Sequence, residues 1–185
     1  MRFCFMPTLL ALALSGCAHH PSATPTPRGP FSPLEYDLYA VVIHHQETPI
    51  FAPDSTTPVV CRPGEAFDDC TPTMGTPDPE AWAAFIANNR VAVAIDPAAL
   101  RRRGIEVIGP YTAKARKICP PIAALVRLSR AGFNHDSTVA VIKSSFAAGP
   151  GPFAECGYAG GAIEVYAREP GGPWEYRGPI KIWMS

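Results

Sequence analysis

The segment from Met1 to Cys17 decides the conditions under which the rest of this chain folds. Arg2 supplies a positive start, Phe3 to Leu14 an apolar run, and Leu14-Ser15-Gly16 a small-residue exit, which together form the pattern of a secretory signal. The apolar run is about twelve residues, short of the ~20 that a membrane-spanning helix needs, so it reads as a cleaved signal and not as a span. An exported chain folds where thiols oxidise, and this governs how its later cysteines are read.

Leu14-Ser15-Gly16-Cys17 resembles the lipobox of bacterial lipoproteins, in which the cysteine thiol is acylated before cleavage makes that residue the new N-terminus. The resemblance implies lipidation of Cys17, palmitate-type chains and a membrane partner reached through the lipid anchor. A single acyl chain binds a bilayer only marginally, at ~0.8 kcal/mol per buried methylene, so stable anchoring needs several. Residue 18 is Ala and not Asp, which in a Gram-negative cell favours the outer membrane, with the domain on the periplasmic side. The expected organisation is a signal peptide over 1–16, the lipidated cysteine and a Pro-rich tether over 17–33, and a single domain over 34–185. His19 and His20 lie in the tether, where two adjacent histidines with no third ligand form a weak metal site.

Four cysteines remain in the exported part: Cys61, Cys70, Cys119 and Cys156. Two disulfides are the simplest reading, with three possible connectivities, of which Cys61–Cys70 with Cys119–Cys156 is favoured. The first pair closes a ten-residue loop holding Pro63 and Gly64, worth about 2.7 kcal/mol on the chain-entropy estimate; the second closes a longer loop, worth about 3.9 kcal/mol. No Cys-x-x-Cys or paired-histidine spacing accompanies them, so neither a metal nor another cofactor is expected. Removing Arg2 with the signal leaves fifteen basic against sixteen acidic residues, a balance that points to no nucleic-acid partner. Pro and Gly make up 37 of 185 residues, below the ~25% at which disorder becomes the default, so the domain is expected to fold with long loops.

Ser32-Pro33-Leu34-Glu35 carries a capping-box signature, and Leu34, Leu38, Val41 and Val42 then recur at helical spacing, with His45 extending the stripe. This predicts a helix over 33–46. Residues 47–75 read as an irregular, proline-rich excursion with the acidic trio Glu65, Asp68 and Asp69. Asp78-Pro79 opens a second helix to about Asn89, and Asp96-Pro97 a third that stops at Gly104. Val91 to Ile95 and Ile105 to Ile108 read as short extended segments, and Tyr111 to Ile118 as one or two helical turns. From Ala124 the period changes to two, giving a hairpin around Asn134-His135-Asp136 and a second around Glu169 to Gly172. In the last strand Ile180, Ile182 and Met184 are expected to face one way and Lys181 and Trp183 the other, with Pro179 marking a bulge or a sheet edge. The fold class is therefore α+β: N-terminal helices packed on the apolar face of a C-terminal antiparallel sheet of about four strands, a meander of two hairpins.

Leu128-Ser129-Arg130-Ala131-Gly132-Phe133-Asn134-His135-Asp136-Ser137-Thr138-Val139-Ala140, followed by Cys156-Gly157 and a Trp183-containing end, resembles a family of uncharacterised exported bacterial proteins with an LSRxGFNxDxTxA pattern. The resemblance covers residues 125–185 and implies no activity and no site residue. That pattern has a second cysteine near Cys-Gly, whereas Glu155 and Tyr158 flank a single Cys156 here, which sets the Cys119–Cys156 pairing apart from the family. The motif also has a purely structural reading, in which Gly132 permits a bend, Asn134 and Asp136 bond back to turn amides, and Arg130 holds a carboxylate.

Neither a Gly-x-Ser-x-Gly elbow nor a cysteine nucleophile paired with a histidine is visible. Ser129, His135 and Asp136 crowd one turn and cannot align as a triad, and His44 and His45 point about 100° apart on a helix. The densest charge feature is Arg101, Arg102 and Arg103 with Lys114, Arg116 and Lys117, a possible anion-binding face for an envelope protein or an anionic polymer. The expected function is a lipid-anchored cell-envelope protein with a non-enzymatic binding or structural domain. The alternative is an envelope hydrolase whose site is assembled from His44, Glu47, Asp68 and His135.

Overall fold

The computed structural model describes residues 30–45, 50–53, 55–63, 68–108, 124–148 and 158–184. Three helices begin at prolines, each capped by the side chain before it. In α1 (Pro33–His44) the Ser32 hydroxyl accepts from the Glu35 amide at 3.2 Å; in α2 (Pro79–Asn88) the Asp78 carboxylate accepts from Ala81; in α3 (Pro97–Arg101) Asp96 accepts from Ala98. These are the caps the sequence predicts, because a proline at the first helical position loses no amide bond and a preceding oxygen satisfies one orphan donor. No described helix is long and apolar enough to cross a membrane.

The strands are β1 (Ile50–Pro53), β2 (Glu106–Ile108), β3 (Ala124–Leu128), β4 (Gly132–Phe133), β5 (Val139–Ala148), β6 (Tyr158–Ala167) and β7 (Glu175–Met184). They form one sheet in the order β2-β1-β3-β5-β6-β7, with β4 paired to β5. The fold class is α+β, and β3-β5-β6-β7 is the expected antiparallel meander. The sheet extends past it. β1 lies parallel to both β2 and β3, so the excursion read as irregular supplies a strand between the C-terminal meander and the extended segment at 106–108. A four-residue strand ending in proline is too short to show a period, and a parallel partner is set by a long crossover that leaves no local signal.

Alternation along β5 divides the core into two. Ala140 and Ile142 point toward α1 and α3, where they join Leu38, Tyr39, Val42, Leu100, Leu128 and Tyr166. Val141 points the other way, toward Ala81 and Phe85 of α2 and Ile163 and Ile180 of the sheet. Helices thus cover both faces, where the sequence pattern suggested one. α1 is also rotated from its predicted stripe. Glu35, Tyr36, Leu38, Tyr39, Val42 and Ile43 are buried, while Leu34 and Val41 are half-buried, because the tyrosines and a charged residue occupy the core side.

Two bulges bend β7, with register shifts between Ile163 and Glu164 and between Val165 and Tyr166, and β7 is also a sheet edge; Pro179 meets both expectations. The bulges change which residues face inward. Ile180 and Lys181 are both buried, whereas Ile182 and Met184 are exposed.

Gly132 serves a different purpose from the bend suggested by the sequence. Its φ is unremarkable for any residue, but a Cβ there would overlap the α2 backbone at Ala81 and Phe85. Gly132→Ala is expected to destabilise the domain by about 3 kcal/mol or more through overpacking against backbone. Urea unfolding of the purified protein checks this, and an unchanged midpoint would contradict it.

Candidate functional site

The cysteine pair nearest in sequence forms the disulfide Cys61–Cys70, with the Cα atoms 5.0 Å apart. Cys17, Cys119 and Cys156 lie outside the described residues, as do His19, His20, Glu47, Glu65, Lys114, Arg116, Lys117 and the helical turns expected over 111–118. Of the basic cluster, Arg101 and Arg102 are exposed at the end of α3, and Arg102 approaches Asp96 only to 3.9 Å. Arg103 is turned to an internal task. It grips Asp37 through Nε at 2.8 Å and Nη2 at 2.6 Å, and lies 5.5 Å over the Tyr36 ring, which ties α3 to α1.

The described residues of the hydrolase alternative sit on separate elements. His44 is exposed at the end of α1, Asp68 sits in the disulfide loop, and His135 projects from the first hairpin turn. Asp68 accepts from the amides of Arg62 and Cys70 and from the Thr71 hydroxyl, which holds its carboxyl below the usual carboxylate range, the Thr71 bond foremost. His135 donates its amide to Glu80 Oε2 at 3.1 Å and places Nδ1 3.0 Å from the same oxygen. The imidazole bond raises His135 above its ordinary value, and the amide bond, foremost, together with the imidazole bond lowers Glu80, but both groups are solvent-exposed. Asp136 is engaged by the Thr138 hydroxyl and amide, and Ser129 Oγ lies elsewhere, accepting from the Lys143 amide. Among the described residues no three His, Cys, Asp or Glu side chains are placed to hold a metal ion.

Two groups of buried polar side chains stand out. The first surrounds Ser129-Arg130-Ala131, where the strand path breaks between β3 and β4. Leu128 pairs with Ser144 and Gly132 with Val141, so one residue is extra on this side and a bulge results. Its backbone is satisfied by side chains from both helix layers. Tyr39 Oη donates to the Ser129 carbonyl at 2.8 Å, Asn89 accepts from the Arg130 amide at 2.6 Å and donates to the Arg130 carbonyl at 2.8 Å, and Asn88 donates to the Ala131 carbonyl at 2.9 Å. Glu35 accepts from the Ala131 amide at 2.9 Å and from Arg130 Nη2 at 3.0 Å, with the guanidinium 4.6 Å over the Phe31 ring. Burial, reinforced by the Glu35 carboxylate, pushes the Tyr39 phenol well up, so it stays a neutral donor. This is the LSRxGFN segment, and its chemistry is structural. The sequence named Arg130 as the holder of a carboxylate but not Glu35 as its partner, since ninety-five positions separate them.

The second group lies on the α1 face of the sheet beyond the end of that helix. Glu164 of β6 is buried and accepts from Ser144 Oγ of β5 at 3.1 Å. Tyr166, next on the same face, has a buried hydroxyl with no hydrogen-bond partner among the described residues, and its ring meets Tyr176 at 5.5 Å; His45 stacks on Tyr176 at 5.3 Å. Burial raises the Glu164 carboxyl above its ordinary value, against the opposing effects of Ser144 and His45. Burial and the nearby Glu164 raise Tyr166 further. The group places a buried carboxyl and a buried phenol next to the exposed Tyr176 and His45. The alternation of Ile163, Val165 and Ala167 against Glu164, Tyr166 and Arg168 places Glu164 and Tyr166 on one face, as found, but does not show that this face is buried. Compared with known protein families, with curated proteins and with solved structures, the chain matches none.

Arg130→Ala is expected to cost about 3–5 kcal/mol, because it leaves Glu35 buried and unpaired, and the double variant Glu35→Leu/Arg130→Met is expected to recover part of that loss. Thermal denaturation of the native protein and the two variants measures the loss and its recovery. For Glu164 the sign is set by a folded-state pKa above the unfolded value of about 4.3, so its stabilising contribution is complete below that pH and is lost as pH rises through the folded-state value. Glu164→Gln should therefore be more stable than the native protein at pH 7, with the difference vanishing near pH 4. A pH series of denaturant midpoints tests this.

Proposed function

We propose that the protein is a lipid-anchored component of the cell envelope, acylated at Cys17, whose domain acts by binding or structural support and not by catalysis. The observation that carries the reading is the Cys61–Cys70 disulfide, which belongs in the oxidising compartment to which a signal ending in Leu14-Ser15-Gly16-Cys17 would deliver the chain. Kinship with the exported proteins that carry the LSRxGFNxDxTxA pattern is part of the same proposal. The arrangement of ionisable groups is consistent with a binding role. Arg103, Arg130, Lys143 and Lys181 each hold another part of the chain in place, whereas Arg101 and Arg102, side by side at the end of α3, are exposed cations from which an anionic partner would be approached. A periplasmic-side location, on the outer membrane of a Gram-negative cell, follows from Ala18 after the lipidated cysteine. The hydrolase built from His44, Glu47, Asp68 and His135 gains no support from the described geometry.

Labelling cells with a palmitate analogue tests the anchor. The native protein should carry label and remain with the membrane fraction, and Cys17→Ala should lose label and be released from membranes. An unlabelled native protein, or a mature form retaining Met1 by mass spectrometry, would sink the reading.

A further inference from the structure

On the α2 face of the sheet, Lys143 of β5 pairs with Ile163 of β6, and Ile163 with Lys181 of β7. The two lysines therefore share one cross-strand row, roughly 10 Å apart by strand spacing. Trp183, two residues beyond Lys181, lies under Lys143, whose Nζ is 5.1 Å from the ring centroid. Lys181 is buried and Lys143 nearly so. One short segment meets both charges: Asp69 Oδ2 is 2.6 Å from Lys143 Nζ, and Lys181 Nζ donates to the Asp68 carbonyl. Asp68 and Asp69 are themselves buried and stand beside Cys70, joined to Cys61. Across the neck of that loop Val60 and Asp69 exchange hydrogen bonds, and the Arg62 amide donates to the Asp68 carboxylate. Cys61 is exposed and Cys70 half-buried, so an incoming thiolate finds one open sulfur.

We propose that Cys61–Cys70 is a redox latch over the strip Lys143–Trp183–Lys181, and that the uncovered strip takes an extended acidic segment of a partner protein in place of Asp68-Asp69. The occupant is identified by charge complementarity, since adjacent aspartates already sit there, one giving a carboxylate and the other a main-chain carbonyl. An oxidising envelope keeps the latch closed, and a protein dithiol opens it. Its first thiolate attacks Cys61 Sγ, the Cys61–Cys70 bond breaks, and Cys70 departs as a thiolate that takes up a proton. The donor's second thiol then attacks the mixed disulfide, so Cys61 and Cys70 end as thiols and the donor as a disulfide. Loss of the covalent closure raises the entropy of the open segment, and the sheet keeps both lysines in register.

The full chain is treated with sulfosuccinimidyl acetate, and acetylation of Lys143 and Lys181 is followed by peptide mass spectrometry in the oxidised protein, in protein reduced by a phosphine, and in Cys61→Ser/Cys70→Ser. Both lysines are expected to react at least tenfold faster in the reduced protein and in the double variant. A fluorescein-labelled tetra-aspartate peptide is expected to bind those two forms and not the oxidised one, with affinity falling as salt is added. The double variant separates this bond from the other cysteines, and the reduced native protein serves if that variant does not fold. The proposal is overturned if both lysines stay protected with two free thiols confirmed, if they react but the peptide does not bind, or if reduction unfolds the whole domain.

Discussion

A single carboxylate, that of Glu35, is the contact on which both halves of the chain depend. It is buried within the first turn of α1 and answers two groups of the bulge between β3 and β4, the Arg130 guanidinium and the Ala131 amide. An isolated buried charge would cost several kcal/mol, so neither partner is tolerable without the other. Breaking such a pair costs far more than its presence adds, and its value lies in position. With Asn88 and Asn89 reaching the same bulge from α2, it sets where two helices on opposite faces stand relative to one interrupted strand.

The opposite face repeats the device with a loop in place of the helix. There the sheet supplies the cations, Lys143 and Lys181, and a disulfide-closed loop supplies the acceptors, Asp69 and the Asp68 carbonyl. The bulges of β7 make this possible, because they bring Ile180 and Lys181 inside together and leave Ile182 and Met184 outside. A strict period of two would have buried Ile182 in place of the lysine. Local backbone irregularity thus decides which charges are buried and hence which loops the sheet can hold.

The legible parts of the fold are those whose causes act within a few residues. Ser32, Asp78 and Asp96 each precede a proline and cap a helix, and the turn at 134–138 is closed by Asn134 and Asp136. The strands from Ala124 onward alternate clearly enough to be found. The capping box at Ser32 was only half legible. Glu35 donates its amide to the Ser32 hydroxyl as expected, but its carboxylate goes to Arg130 and Ala131, a choice made by a partner on the far side of the sequence. The same holds for Glu164, which reads as the polar member of an alternating strand and is buried, accepting from Ser144 of the neighbouring strand.

The amino-acid sequence alone determined the helix starts, the two hairpins, the α+β class and the closeness of Cys61 to Cys70, since each follows from dihedral preference, hydrogen-bonding side chains or short loop closure. Tertiary structure alone decided that β1 enters the sheet in parallel, that helices cover both faces, that Gly132 is needed for the close approach of α2, and that Glu35, Lys143 and Lys181 are buried with their partners. These depend on which distant surfaces meet, and a burial that is costly for a lone charge becomes acceptable only when folding delivers the opposite charge to it.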